Sequence, residues 1–175
     1  MKLMIVYGST EGQTRKICEF LKDESEKAGH TPAIFDAMVT PPDPAEFDAV
    51  LVAASLHGGG YQVTVKDYVQ DYHKTLNQMN SGFLSVSLTA ATDESESWKE
   101  LEQHTEDFLL ETGWKPKFIE QIAGALRYTQ YDFFKRFIMR MITKRAGGDT
   151  DTTRDHEYTD WKQVRGVIHK IEKLQ

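Results

Sequence analysis

Residues 2–20, KLMIVYGSTEGQTRKICEF, decide the fold of this chain. The apolar, β-branched run from Lys2 to Tyr7 contains no breaker, which predicts a buried strand. A turn rich in glycine and hydroxyl side chains follows over residues 8–14, and the apolar spacing after it predicts a helix. Such a turn aims backbone N–H groups and the positive end of a helix at one point, and Gly8 and Gly12 let the backbone come close to a ligand. We therefore expect a phosphate to bind here.

The composition of this turn narrows the choice of phosphate ligand. A Walker loop needs four residues between its glycines and then Lys-Ser/Thr, whereas three residues separate Gly8 from Gly12 here and Gln13-Thr14 follows. The Gly-x-Gly of a dinucleotide fingerprint is missing, and the turn has no lysine to neutralise a polyphosphate. A single terminal phosphate is therefore expected. The alternative is an ordinary strand–helix turn whose Ser and Thr merely cap the helix.

In part, the turn resembles the phosphate loop of flavodoxins, a Ser/Thr-rich run that ends in Gly-x-Thr and holds the phosphate of FMN. Here Glu11 stands where that pattern has a hydroxyl residue. The position of the turn, directly after the first strand, favours a flavin ligand.

Composition limits the class of protein. The chain has 175 residues, which predicts one domain over residues 1–175 with a substantial core. The net charge of −6 argues against a nucleic-acid binder. A strand opens the chain and no apolar run approaches a membrane span, so we expect a cytoplasmic protein without a signal peptide. Cys18 can form no internal disulfide and is expected to be buried. The histidines show no metal-ligand spacing, so no metal site is expected.

Strand and helix patterns alternate along the rest of the chain. Apolar runs predict four further strands over residues 31–36, 48–55, 82–88 and 117–126. Helical spacing predicts helices over residues 63–76 and 98–110, and from about Asp160 through Ile171. Repeated strand–helix units imply an α/β fold, a doubly wound five-stranded parallel sheet covered on both faces, for which the strand order 2-1-3-4-5 is among the few topologies allowed.

In such a sheet the ligand binds outside the carboxyl ends of the strands, at the switch point between the first and third. The loops expected there are residues 8–14, 55–61 and 89–95. The first would hold the phosphate, and the other two would flank an isoalloxazine ring. The glycines at positions 58–60 would let a peptide reorient to accept a hydrogen bond from reduced flavin, or would simply form a flexible turn.

More than thirty residues separate Leu126 from the last helix, too many for a plain connection. We expect an insertion over about residues 127–159. Residues 127–148 contain six Lys or Arg against one acid, Asp132, so that this stretch carries +5 and the remaining chain −11. Apolar residues recur there at helical spacing: Phe133, Phe134, Phe137, Ile138, Met141 and Ile142. A basic amphipathic helix suits an anionic membrane surface or an acidic partner. The alternative is that its apolar stripe packs on the domain.

Several blocks of sequence resemble the bacterial flavodoxin-like, menaquinone-dependent protoporphyrinogen oxidases. They are residues 122–128 (IAGALRY), the Phe- and Met-rich basic stretch, residues 146–152 (AGGDTDT) and residues 158–161 (YTDW), with Gly12-Gln-Thr14 and Ala54-Ser55 in addition. The resemblance covers nearly the whole chain. It implies a flavodoxin-like fold, FMN, and a cytoplasmic enzyme on the inner face of the membrane. The activity it implies is oxidation of protoporphyrinogen IX, with electrons passing through FMN to a quinone in haem biosynthesis.

The resemblance and the topology together define the expected FMN contacts. In the three loops they are Ser9, Thr10, Glu11, Gly12, Gln13 and Thr14; Ser55, Leu56, His57, Gly58 and Gly59; and Ser87, Leu88, Thr89, Ala90 and Ala91. Because the flavin is the redox centre, the protein has to orient it rather than supply a nucleophile. The candidates for a catalytic role are Arg127, Tyr128 and His57. His57 would exchange protons near the flavin, or it is an exposed loop residue without a role.

The basic residues have two candidate ligands. Arg127, Lys135 and Arg136 would bind the two propionates of a porphyrinogen, or the helix cations would bind lipid phosphates. We favour lipid for the helix, including Phe137, Arg140 and Met141, and substrate or flavin for Arg127. Tyr128 would order the pocket or simply pack.

Neither flavin loop places a tryptophan where electron-carrier flavodoxins often stack one. Tyr61 and Trp98 are the nearest aromatic residues. We therefore expect a flavin face that is less covered than in a carrier, with room for a bulky substrate or a quinone. Two functions stay open: a membrane-surface FMN dehydrogenase, and an electron carrier that docks a redox partner through the basic helix. The sequence also leaves homo-oligomerisation open.

Overall fold

The computed structural model describes residues 1–126 and 155–174. The strands are β1 (Lys2–Gly8), β2 (Thr31–Asp36), β3 (Ala49–Ser55), β4 (Asn80–Ser87), β5 (Phe118–Ala123), β6 (Ala125–Leu126) and β7 (His156–Glu157). The helices are α1 (Gln13–Lys27), α2 (Val63–Gln78), α3 (Ser95–Thr112) and α4 (Trp161–Glu172). Single 3-10 turns lie at Pro44–Glu46 and Thr89–Ala91.

The first five strands form one parallel sheet in the order β2-β1-β3-β4-β5, which confirms the predicted doubly wound fold. Strands β1, β3 and β4 are buried along almost their whole length because helices cover both faces of the sheet. Helices α1 and α4 pack on one face, and α2 and α3 on the other. Cys18 of α1 is fully buried, as predicted.

The prediction of a fifth strand that continues to Leu126 is wrong at its end. Strand β5 stops at Ala123, and Ala125 and Leu126 instead pair antiparallel with β7. Gly124 lies at the break, where its N–H donates to Ser87 O at 2.9 Å and its carbonyl accepts from Tyr158 N–H at 3.0 Å. The apolar run carries no sign of this break because Leu126 is also buried, in a small cluster of its own.

Helix α3 begins at Ser95 and ends at Thr112, and is therefore longer at both ends than predicted. Gly113, at a φ of 69°, ends it in the left-handed conformation that glycine adopts readily. On α2 the buried face consists of Val65, Tyr68, Val69 and Leu76, whereas Tyr72 is only partly buried.

The basic amphipathic helix predicted within the insertion lies outside the described residues. So do Arg127, Tyr128, Lys135, Arg136, Phe137, Arg140 and Met141. Within residues 1–126 and 155–174, no helix combines the length and the apolar character needed to cross a bilayer.

Candidate functional site

A cavity of about 620 Å³ opens at the carboxyl ends of the parallel strands. This volume is typical of small-molecule sites. The predicted loops form much of its wall, since every expected FMN contact lies on it except Gly12, Ala90 and Ala91. The backbone N–H groups of these three residues bond within their own turns, to Ser9 Oγ at 2.9 Å, Ser87 Oγ at 3.1 Å and Leu88 O at 3.0 Å respectively.

The turn after β1 forms one end of this cavity. Gly12 caps α1 with a φ of 88°, a conformation that favours glycine. The first helical turn behind it leaves backbone N–H groups without intrahelical partners. The side chain of Thr14 is buried on the wall, and its Oγ1 makes no hydrogen bond to any described residue. A buried hydroxyl that lacks a partner costs about 1–3 kcal/mol, so a ligand oxygen fits this position.

Gly8 has a different role from the one expected. An added Cβ there would lie 2.5 Å from Val65 Cγ2 and 3.0 Å from Gln62 Oε1. The missing side chain therefore allows α2 to pack against the end of β1.

The loop after β3 contains a hydrogen-bonded turn. His57 N–H donates to Gly60 O at 3.0 Å, and Gly60 N–H donates to His57 O at 3.3 Å. Gly58 and Gly59, with φ values of 59° and 84°, lie at its centre. Two consecutive residues with positive φ are typical of a type I′ turn, in which glycine, asparagine and aspartate are strongly preferred.

The side chains of Tyr61 and Trp98, the nearest aromatic residues, do not line the cavity. The hydroxyl of Tyr61 hydrogen-bonds Ser85 Oγ at 2.8 Å and Thr105 Oγ1 at 3.0 Å. Burial raises the pKa of the Tyr61 phenol above its usual value. Trp98 Nε1 donates to Thr92 O at 2.7 Å, which ties α3 to the loop after β4. Among the described residues, no Phe, Tyr or Trp lines the cavity.

Helix α3 supplies a part of the wall that sequence reasoning missed. The residues concerned are Ser97, Glu100, Leu101 and His104. Their spacing of three and four residues places them on one face of the helix. That spacing was visible in the sequence, but only the packing of α3 shows that this face borders the cavity. His104 also lies beside the glycine turn, since an added Cβ on Gly59 would be 3.5 Å from His104 Cε1.

A second missed residue is Gln62, which joins the loops after β1 and β3. Its Nε2 donates to Thr10 Oγ1 at 3.0 Å and to Ser55 Oγ, and its Oε1 accepts from Ser55 N–H at 3.2 Å. Both hydroxyl residues lie on the cavity wall.

The charges on the described wall are unusual for an anion site. Glu11 and Glu100 supply carboxylates, and His57 and His104 supply imidazoles, but none of the described wall residues is Lys or Arg. An anion at the phosphate end would therefore depend, among these residues, on neutral donors.

The last residues of the expected insertion return to the same end of the sheet. Thr159 Oγ1 donates to Ala123 O at 2.7 Å and accepts from Gln13 Nε2 at 2.9 Å. Glu157 forms an ion pair with Lys16 and accepts from Trp161 Nε1 at 2.8 Å. Although burial raises the pKa of Glu157, the hydrogen bonds from Lys16 and Trp161 outweigh it and lower that pKa. These contacts tie the segment to the phosphate-end helix α1.

Comparison with known proteins agrees with this architecture. Residues 4–153 match the family model described as a flavodoxin domain. The chain is 33% identical over 175 aligned residues to protoporphyrinogen IX dehydrogenase (quinone) of Escherichia coli K12, covering 99% of this chain and 96% of that protein. It is 34% identical over 171 residues to the protein of the same name from Leishmania major, covering 94% and 71% respectively.

Solved structures show the same fold. Oxidised Flavodoxin 2 from Bacillus cereus superposes with a TM-score of 0.58 at 15% identity, with both chains covered completely. Oxidised Flavodoxin 1 from the same organism gives 0.57 at 12% identity, covering 99% of this chain and 98% of that one. The chain therefore belongs to the flavodoxin-domain family and is a flavodoxin-like oxidoreductase.

Proposed function

We propose that this protein binds FMN and oxidises protoporphyrinogen IX, passing the electrons to a quinone. Two relatives, which match 99% and 94% of this chain, carry names that state the oxidation of protoporphyrinogen IX with a quinone. The observation on this chain that carries the proposal is the buried Thr14 hydroxyl, which lines the cavity at the start of α1 and has no hydrogen-bond partner among the described residues. A phosphate oxygen would satisfy it.

The residues of the first loop would hold the phosphate. Thr14 would donate its hydroxyl, and the first turn of α1 would donate backbone N–H groups. Ser9 Oγ already accepts from Gly12 N–H, which leaves the Ser9 hydroxyl hydrogen free to point toward a ligand. This donor set matches one terminal phosphate.

The loops after β3 and β4 would flank the flavin ring. Residues 55–59 and 87–89 lie on the wall, and the 58–59 peptide would reorient to accept a hydrogen bond from reduced flavin. When bound, FMN supplies the two-electron redox chemistry that no amino-acid side chain provides. The task of the chain is therefore to orient the ring and to admit the substrate.

Removal of a hydride from a porphyrinogen also releases a proton. Outside the phosphate turn, the described wall offers three side chains that can accept it: His57, Glu100 and His104. We propose His104 for this role because it lies beside the glycine turn and makes no hydrogen bond within the described chain. His57, the histidine that the sequence analysis named as a candidate, stays a second candidate.

The propionates and the membrane would be contacted by the insertion. The described wall has no Lys or Arg to bind two carboxylates, whereas residues 127–148 carry +5. Gly124 and Ala125 lie on the wall just before Arg127 in sequence. We therefore propose Arg127 for the substrate, and Lys135, Arg136, Phe137, Arg140 and Met141 for the cytoplasmic face of the membrane. We also propose that residues 1–175 form one domain, since α4 packs into the same core as α1.

The test is an anaerobic assay of the protein reconstituted with FMN. Protoporphyrinogen and a menaquinone analogue are added, and porphyrin fluorescence is followed against protein without FMN. We expect porphyrin to form faster than by spontaneous oxidation. Failure to bind FMN would contradict the proposal at its base. Flavin reduction by a reductase protein alone would instead favour an electron carrier.

A further inference from the structure

The geometry points to Gln62 as the residue that makes the hydroxyls of Thr10 and Ser55 hydrogen-bond donors toward a phosphate-bearing ligand. This inference rests on the proposed FMN site and deepens it. Gln62 lies immediately before α2, between the first two loops of the cavity wall, and is not itself a wall residue. It is therefore a positioning residue rather than a catalytic one.

The contacts determine the orientation of the Gln62 amide. Ser55 N–H donates to Gln62 Oε1 at 3.2 Å. Because a backbone N–H can only donate, the oxygen of the amide must face Ser55 N. The nitrogen then faces the two hydroxyls, and it donates to Thr10 Oγ1 at 3.0 Å and to Ser55 Oγ. The two hydrogens of one NH₂ group thus serve the two hydroxyl oxygens.

This arrangement decides in which direction the hydroxyl hydrogens of Thr10 and Ser55 point. A hydroxyl has one hydrogen to donate and two lone pairs that accept. Because each oxygen accepts from Gln62, its own hydrogen is released to point elsewhere. The two oxygens are 3.4 Å apart, longer than the usual O–H···O distance of about 2.5–3.0 Å. The hydrogens are therefore left for a ligand in the cavity that both residues line.

The orientation of these two hydroxyls matters for phosphate binding because of the charges on the cavity wall. The described wall residues include no Lys or Arg, and the same turn carries the carboxylate of Glu11. A hydroxyl that turns its lone pairs toward a phosphate repels it, whereas one that turns its hydrogen attracts it. Gln62 would thus let a turn without cationic side chains bind a phosphate monoester.

The test compares FMN with riboflavin, which lacks the phosphate, by quenching of flavin fluorescence in titrations of the FMN-free protein. Gln62→Glu replaces the donor NH₂ with an acceptor and should weaken FMN binding at least tenfold, and riboflavin binding much less. Gln62→Met removes the hydrogen bonds without adding charge and should weaken FMN binding by a smaller factor. In a Thr10→Val background, Gln62→Met should have a reduced effect on FMN, since part of its action passes through Thr10.

The matched control is Gln70→Glu, the same substitution inside α2, the helix that Gln62 precedes. Gln70 is exposed, and its Nε2 donates to Glu111 O at 3.1 Å, away from the cavity. FMN should bind this variant within twofold of wild type. The inference is overturned if Gln62→Met binds FMN like wild type, or if Gln62→Glu weakens FMN and riboflavin equally.

A second probe separates this inference from the proposed function. If the wild-type protein binds no FMN, the proposed function fails. Inorganic phosphate is then titrated while the amide chemical shifts of Thr10 and Thr14 are followed. Shifts that saturate in wild type and are lost in Gln62→Glu would still support a phosphate site oriented by Gln62. The absence of any shift in wild type would overturn the inference as well.

Discussion

The side-chain amide of Gln13 donates a hydrogen bond of 2.9 Å to the hydroxyl of Thr159, 146 residues further along the chain. Gln13 begins α1 and lies on the cavity wall, whereas Thr159 is buried between β7 and α4. The same hydroxyl donates to Ala123 O at the end of β5. One threonine therefore links the start of α1, at one end of the cavity, to the last residues of the expected insertion.

Replacement of Thr159 by valine tests this link. The substitution conserves shape but leaves Gln13 Nε2 and Ala123 O without their partner, so we expect the free energy of unfolding to fall by about 1–3 kcal/mol. Chemical denaturation followed by circular dichroism measures it. Thr31→Val on the edge strand β2 is the control, since Thr31 is exposed, and it should change stability by less than about 0.5 kcal/mol. Equal effects of the two variants would contradict the role assigned to Thr159.

Thr14→Val should separate stability from ligand binding. Within residues 1–126 and 155–174, the buried Thr14 hydroxyl has no hydrogen-bond partner. Its replacement by a methyl group should therefore leave the FMN-free protein as stable as wild type, or more stable by up to about 1 kcal/mol. FMN affinity should fall at least tenfold, because a phosphate donor is lost. Thermal melts and fluorescence titrations measure the two effects.

A matched threonine supplies the control for that experiment. Thr105 Oγ1 is also buried, but it bonds Leu101 O at 2.9 Å, the Tyr61 hydroxyl at 3.0 Å and Gln121 Nε2 at 2.9 Å. Thr105→Val should therefore destabilise the protein. If Thr14→Val destabilised it as much, the Thr14 hydroxyl would have a partner in the native protein after all.

Gly59→Ala tests the closed turn after β3. Its φ of 84° lies in the left-handed region, which costs a residue with a Cβ about 1–2 kcal/mol. We expect the free energy of unfolding to fall by about that amount. Gly60→Ala is the control, because the φ of Gly60 is not positive and no atom lies within 4 Å of an added Cβ. A loss of stability in Gly60→Ala alone would show that the turn has a different conformation.

His104→Gln tests the proposed proton acceptor. General base catalysis typically contributes about 10²–10⁴-fold to a rate, so flavin reduction by protoporphyrinogen should slow by at least a hundredfold. The FMN dissociation constant should stay within about threefold of wild type, because no step of the binding proposal uses His104. His169→Gln on the exposed side of α4 is the control and should leave both values unchanged. A rate unchanged in His104→Gln would move the role to His57 or Glu100.

Glu157 predicts a pH dependence of stability. Its pKa is lowered in the folded state, because hydrogen bonds from Lys16 and Trp161 outweigh the opposing effect of burial. A carboxyl group with a lowered pKa stabilises the fold above its unfolded pKa, and that contribution is lost as pH falls through the folded pKa. The stability gap between wild type and Glu157→Gln should be at most about 1 kcal/mol at pH 7, since the pair is partly exposed.

That gap should shrink in urea denaturation as the pH is lowered from 7 toward 3, over the range in which the protein stays folded. Lys170 and Glu120 form a second ion pair. The control variant Lys170→Met shows how the stability gap changes with pH when a different ion pair is removed. A gap that is constant with pH would mean that the Glu157 carboxylate is not stabilised by its partners.

The sheet could be predicted because each of its strands is marked by local composition. The run from Leu3 to Val6 is apolar at every position, as is required of a strand covered on both faces. The end of β5 was missed for the same reason, because Leu126 is as apolar as a strand residue but is buried in a different cluster. Local composition reports that a side chain is buried, not what covers it.

The residues around the cavity also fall into two groups, those that the sequence reveals and those that only the fold brings together. The phosphate turn was visible because its glycines and hydroxyl residues are consecutive in sequence. The contacts of Gln62 with Thr10 and Ser55 join residues 52 and 7 positions apart, and nothing in the sequence marks that glutamine. Tyr61 illustrates the converse, because it is one of the aromatic residues nearest the flavin loops in sequence, whereas its side chain packs against Phe83 and Phe108 in the core.

The sequence by itself determined the five strands of the sheet and the glycine- and hydroxyl-rich turn after β1, because hydrophobic periodicity and turn composition are local properties of the chain. The family followed from the resemblance of whole blocks of sequence. Only the tertiary structure decided which face of α3 borders the cavity, which way the Gln62 amide points, and that Thr159 meets Gln13. These relationships depend on how helices pack across a sheet, and packing brings together side chains whose separation along the chain carries no signal.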